Sequence, residues 1–132
     1  MLDVKSLIAI VDDDESICRA VKRLLRSAGM QADTFTSGQE FLDFVGTVPW
    51  VRVDCIVLDV HMPGMNGLEM QGRLLETGVC PPVIFISAED SPHTREAALA
   101  AGAVAFLPKP VRDEVLLESL RVALKQESEE DL

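Results

Sequence analysis

Asp12-Asp13-Asp14, Asp59 and Ser87 each follow directly on a short run of apolar residues, and Lys109 stands two residues beyond another. The runs are Leu7 to Val11, Cys55 to Leu58, Val83 to Ile86 and Ala103 to Leu107. Brought together, these ends supply three or four carboxylates, one hydroxyl and one ammonium. Crowded carboxylates raise one another's pKa unless a cation joins them. Mg²⁺ is a hard ion that takes oxygen ligands, commonly one or two carboxylates plus waters. Aspartate is also a covalent acceptor for phosphoryl groups. A phosphoryl group on Asp59 would meet the metal on one side and Lys109 and Ser87 on the others, which spreads the charge of the transition state.

Taken singly, these residues say little. An Asp after a strand is often a helix cap or turn residue, and Asp14 is assigned that role. Ser87 alone reads as a turn hydroxyl and Lys109 alone as a solvated surface charge. Only the joint pattern at the strand ends favours chemistry.

The elements that must position these groups follow from periodicity. Glu15 to Ala28 has apolar residues at Ile17, Val21, Leu24, Leu25 and Ala28, a helical spacing that Gly29 stops. Met30 to Phe35 reads as a second strand. Ser37 and Glu40 form the pattern of a capping box for a helix from Gly38 to about Val45. A loop with Pro49 and Trp50 precedes the strand Asp54 to Leu58. Pro63, Gly64 and Gly67 predict a loop before a helix from Leu68 to Glu76. Ser91-Pro92 opens a helix to about Ala101, ended by Gly102. A last helix spans Arg112 to Lys125, and the acidic residues 126–132 read as a frayed tail or the start of a linker.

Strands alternating with helices predict an α/β fold: a single doubly wound (βα)5 domain with a five-stranded parallel sheet. Strands with little polar alternation agree, because they are buried on both faces. The expected order is 2-1-3-4-5, flavodoxin-like, with ligands beyond the carboxyl ends at the switch point between strands 1 and 3.

The 132 residues suit one domain able to bury a core without staples. The net charge of −10 disfavours direct nucleic-acid binding. Cys18, Cys55 and Cys80 match no zinc spacing and read as free thiols of a reduced, cytoplasmic protein, with Cys55 buried. Asp12 to Glu15 interrupt any signal-peptide core, and no apolar run approaches the roughly 20 residues that span a bilayer. No GxxxxGK[ST] loop for ATP phosphates is present.

Val11-Asp12-Asp13, the segment Leu58-Asp59-Val60-His61-Met62-Pro63-Gly64-Met65-Asn66-Gly67, Ile86-Ser87-Ala88 and Phe106-Leu107-Pro108-Lys109-Pro110 occur in this order. In these motifs the chain resembles the response-regulator receiver family of two-component signalling, from Leu7 to about Lys125. The style of the motifs is most similar to the nitrogen-fixation-regulator branch, and the implied fold is CheY-like. The resemblance implies a receiver domain over residues 1–125.

By position, the resemblance implies Asp59 as phosphoacceptor. It implies Asp13, Asp59 and the His61 backbone carbonyl as direct Mg²⁺ ligands, with Asp12 acting through water and Mn²⁺ as a substitute metal. Ser87 and Lys109 would bind the phosphoryl oxygens, and the Lys109–Pro110 peptide would be cis. Phe106 takes the place of a switch aromatic that turns inward as Ser87 moves toward the phosphoryl group. The surface of the fourth helix, fifth strand and fifth helix would change in step, a two-state equilibrium biased by one charged group. The implied donor is a phosphohistidine on a sensor histidine kinase or phosphotransfer protein. A phosphorylation-dependent homodimer through the switching surface is a further family-level expectation, with no membrane partner. The chain either stands alone or is the receiver of a longer protein with an output domain.

Val111 replaces a common Phe. The resemblance implies that His61 and Glu89, two residues after Asp59 and Ser87, line the approach to the phosphoryl group, which makes them candidates for ordering or blocking the hydrolytic water. A haloacid-dehalogenase-like enzyme needs a second Asp where His61 stands. A flavodoxin-like cofactor site would place a phosphate against three aspartates. A phosphorylation-independent interaction module of the same fold would be expected to lose site residues, and none is lost.

Overall fold

The computed structural model describes residues 6–47, 52–78, 80–89 and 91–130. Five strands alternate with five helices: β1 (Leu7–Val11), α1 (Glu15–Ser27), β2 (Gln31–Phe35), α2 (Gly38–Thr47), β3 (Cys55–Asp59), α3 (Gly67–Glu76), β4 (Val83–Ser87), α4 (Pro92–Ala100), β5 (Ala105–Pro108) and α5 (Asp113–Glu130). All strand pairs are parallel, in the order β2-β1-β3-β4-β5. The expected doubly wound sheet is thus present.

Strand alternation sorts the core onto two faces. Ala9, Val11, Ile56, Leu58 and Phe85 pack with Phe41 of α2, Met70 and Leu74 of α3 and Ala98 of α4. Ile8, Ile10, Cys55, Val57, Ile84 and Ile86 pack with Cys18, Val21 and Leu25 of α1 and with Leu116, Leu120 and Ala123 of α5. β3 and β4 are buried along their whole length, while β2 alternates as an edge strand. Each fully buried Ile or Leu contributes about 1.5–3 kcal/mol, so the central strands fix the register of the site residues at their ends.

Local signals explain the element bounds. Asp14 caps α1, its carboxylate accepting from the Ser16 and Ile17 amides. Gly29 adopts a φ of 86° just beyond α1, a conformation that costs other residues energy. Ser91 caps α4, with Pro92 at its first position.

Three expectations change. Ser37 does accept from the Glu40 amide, but the Glu40 carboxylate turns to the Thr36 amide and hydroxyl, so only half of the capping box forms. The complete box belongs to Asn66 and Glu69 at the start of α3, which begins at Gly67 inside the expected loop. α5 runs to Glu130 rather than ending at Lys125, because Gln and Glu are good helix formers despite the unfavourable acidic end. The expected loop at Pro49 and Trp50 lies outside the described residues. Cys18, Cys55 and Cys80 form no disulfide. No described helix is long and apolar enough to cross a membrane.

Candidate functional site

The carboxyl ends of β1, β3, β4 and β5 meet where the sequence places its polar residues. β1 leads into Asp12, whose amide bonds the Phe35 carbonyl at 3.0 Å and whose Oδ1 accepts from the Asp14 amide at 2.9 Å. β3 ends on Asp59, and both carboxylates are sealed from solvent. Asp13 is exposed at the rim. One oxygen from each of Asp12, Asp13 and Asp59 lies within 4.8 Å of the others.

Lys109 supplies the counter-charge. The β4–β5 pairing continues past Ser87, whose carbonyl accepts from the Lys109 amide at 2.8 Å, and the Lys109–Pro110 peptide is cis. The ammonium lies 2.9 Å from Asp12 Oδ2 and 3.2 Å from Asp59 Oδ1. The contact to Asp12 Oδ2 is ionic without hydrogen-bond alignment, so this buried oxygen remains able to serve a further partner.

Burial, reinforced by the Asp12 charge, pushes the Asp59 pKa up to about 6 against the opposing pull of Lys109 and the His61 amide. Burial lowers the pKa of Lys109, but the nearby Asp12 and Asp59 carboxylates outweigh this and raise it. With all three carboxylates ionised, one ammonium leaves two negative charges uncompensated. Hard oxygen donors carrying that surplus suit a divalent cation, so the donor set fits Mg²⁺.

The remaining residues frame the mouth. The His61 amide points to Asp59 Oδ1 at 3.4 Å. The Ser87 hydroxyl donates to the Glu89 carbonyl at 3.0 Å and accepts from the Glu89 amide at 3.1 Å. It is therefore committed to the β4–α4 turn and makes no bond to Asp59 or Lys109. His61 Nε2 and Glu89 Oε2 lie 3.5 Å apart at exposed positions, so the two residues expected to line the approach also face each other.

Phe106 pairs in register with Phe85 and is buried, its ring 6.2 Å from that of Phe85. Arg95 of α4 sets its guanidinium 5.6 Å from the Phe106 ring centroid. The sequence reading missed Arg95; its place eight residues after Ser87 carries no signal without the helix geometry.

Gly67 is a second residue whose role was missed. A Cβ there would overlap the Asp59 carbonyl oxygen and press on Phe85 and Val60. Its amide bonds the Val60 carbonyl at 2.9 Å. The signal was its place at the end of the motif from Leu58, eight residues after Asp59, where the sequence reading expected a loop.

Comparison with known proteins agrees with this geometry. Residues 8–121 match the family model described as "Response regulator receiver domain". The chain is 42% identical over 125 residues to the response regulator protein TmoT of Ectopseudomonas mendocina, covering 95% of this chain and 56% of that protein. It spans about half the length of the curated relatives it matches. A response regulator receiver protein from Burkholderia phymatum superposes with a TM-score of 0.82 at 51% identity, covering 92% of this chain and 96% of that one. The solved structure of FixJ-N superposes with a TM-score of 0.82 at 31% identity, covering 95% and 96% of the two chains.

Proposed function

Because the chain belongs to the response regulator receiver domain family, we propose that it accepts a phosphoryl group on Asp59 and signals by a change of surface. The observation that carries this reading is the buried Asp59 at the end of β3. Two further carboxylates lie within 4.8 Å of it and an ammonium at 3.2 Å. Its donor is a phosphohistidine of a sensor histidine kinase or phosphotransfer protein. The N–P bond to the donor imidazole breaks, a P–O bond to an Asp59 carboxylate oxygen forms, and the donor histidine leaves with the electron pair.

Asp13, Asp59 and the His61 carbonyl would hold Mg²⁺, with Asp12 assisting through water and Mn²⁺ as a substitute. When bound, the ion supplies positive charge to the transferring phosphoryl oxygens. Lys109 contributes a second, fixed charge that is already oriented and requires no reorganisation during transfer. Burial of Asp59 raises the basicity of the attacking carboxylate.

The signal begins at Ser87. To reach a phosphoryl oxygen its hydroxyl must exchange the paired bonds to Glu89 for one charged bond, which is stronger than either. That exchange moves the β4–α4 turn, and with it the packing of Phe106 and the surface of α4, β5 and α5. Leu99, Val115 and Val122 are exposed apolar residues on those two helices, and they support docking of an output domain, a partner or a second copy after phosphorylation.

Titration with beryllofluoride tests the reading, because this anion mimics an aspartyl phosphate without covalent chemistry. Saturable binding that requires Mg²⁺ and is lost in Asp59→Asn is expected. Its absence would move the reading to a phosphorylation-independent interaction module.

A further inference from the structure

Phe106 and Ser87 lie on one face of the sheet. Phe106 pairs with Phe85 and Ser87 with Pro108, so the ring sits two pairs before the hydroxyl, on the side facing α4. The ring is only 9% exposed. It rests on Phe85 at 6.2 Å with the planes tilted by 38°, beside the fully buried Ala98 of α4. Arg95 precedes Ala98 by three residues and therefore shares its helix face. Its guanidinium lies 5.6 Å from the ring centroid, within the distance at which a cation is attracted to the ring's negative face.

Meanwhile the Ser87 hydroxyl is still tied to Glu89. The ring is thus buried while the hydroxyl is bonded to the β4–α4 turn and not to the acidic site. No bond from Ser87 to the acidic site accompanies the buried ring, and the charged group that does lie against it is the Arg95 guanidinium.

We propose that Arg95 is a positioning residue: its guanidinium clamps Phe106 in the buried rotamer and so predisposes the α4–β5 surface to the phosphorylated arrangement. The inference rests on the phosphoryl reading of Asp59. Arg95 does not touch the phosphoryl group; it acts through Phe106. A ligand that favours the inward ring binds more tightly when the ring is already held there. A partly covered cation–π contact biases such an equilibrium by about threefold to tenfold.

Two readouts on the described chain test this. In the first, the protein carries fluorophenylalanine, and the Phe106 resonance is assigned by its loss in Phe106→Leu. Arg95→Met, which keeps the apolar stem and removes the charge, should expose this resonance to a soluble paramagnetic agent; Arg95→Lys should protect it in part. An Arg95→Met resonance as shielded as the wild type's overturns the clamp.

In the second, beryllofluoride is titrated in Mg²⁺. Arg95→Met should bind it about threefold to tenfold more weakly than the wild type, and this loss should vanish in a Phe106→Leu background. Equal affinity in Arg95→Met and wild type, or the same loss in both backgrounds, overturns the coupling. A wild type that binds no beryllofluoride overturns the Asp59 reading itself, a result distinct from the others.

Discussion

Gly67 lies so close to Asp59 that a Cβ on it would overlap the Asp59 carbonyl oxygen. The first residue of α3 thereby supports the peptide that aims Asp59. Its neighbours are backbone and the buried Phe85 ring, neither of which can swing away. Gly67→Ala is expected to destabilise the fold by about 1–3 kcal/mol or more through overpacking. Gly72, in the same helix, has open space around it, and Gly72→Ala should stabilise by about 0.5–1 kcal/mol. Urea denaturation of the two variants checks the contrast; equal effects would contradict it.

Asp59 makes stability depend on pH in a direction opposite to that of an ordinary paired carboxylate. Its folded pKa of about 6 lies above the unfolded value of 3.8. The folded state therefore binds the proton more tightly, and the associated stability is present below about pH 4 and lost as pH rises through 6. The loss is on the order of 2–3 kcal/mol in the metal-free protein. Melting curves in chelator should show Asp59→Asn gaining on the wild type between pH 4 and 7. Parallel pH profiles would show that the buried carboxylate carries no such cost.

Lys109 is the cation nearest to both buried carboxylates, at 2.9 and 3.2 Å. Lys109→Met leaves them facing one another, and breaking such a buried pair costs about 3–5 kcal/mol. A divalent ion restores the missing charge. Mg²⁺ should therefore raise the melting temperature of Lys109→Met by more than that of the wild type. Identical Mg²⁺ shifts would place the metal away from these carboxylates.

His61 and Glu89 meet at 3.5 Å over the mouth of the site. We propose that their pairing narrows the path of a hydrolytic water to a phosphorylated Asp59. His61→Ala and Glu89→Ala should each shorten the lifetime of the phosphorylated form by up to about fivefold, as expected for a contact worth up to about 1 kcal/mol. The double variant should match the singles, because each removes the same contact. Unchanged lifetimes, timed by loss of the phosphoryl group, would leave the pair as surface polar residues.

Much of the site was legible because parallel strands deliver their last residues to one edge. Apolar runs ending at Val11, Leu58 and Ile86 were enough to bring Asp12, Asp59 and Ser87 together. What sequence could not give was the direction of side chains beyond those ends. The Ser87 hydroxyl turns back to Glu89, a choice between near-equal partners that no spacing decides. The contact of Arg95 with Phe106 crosses from helix to strand, so neither periodicity contains it. At Thr36, Ser37 and Glu40 the capping pattern was right in composition, but two adjacent donors competed for one carboxylate. The true box at Asn66 and Glu69 was hidden by the glycines around it.

Intact-mass spectrometry after incubation with acetyl phosphate, with and without Mg²⁺, on the wild type and Asp59→Asn, tests the central claim most directly. The account predicts a single added phosphoryl group on the wild type in Mg²⁺, and none without the metal or in Asp59→Asn. An adduct that persists in Asp59→Asn, or no adduct on a wild type that also ignores beryllofluoride, would contradict it.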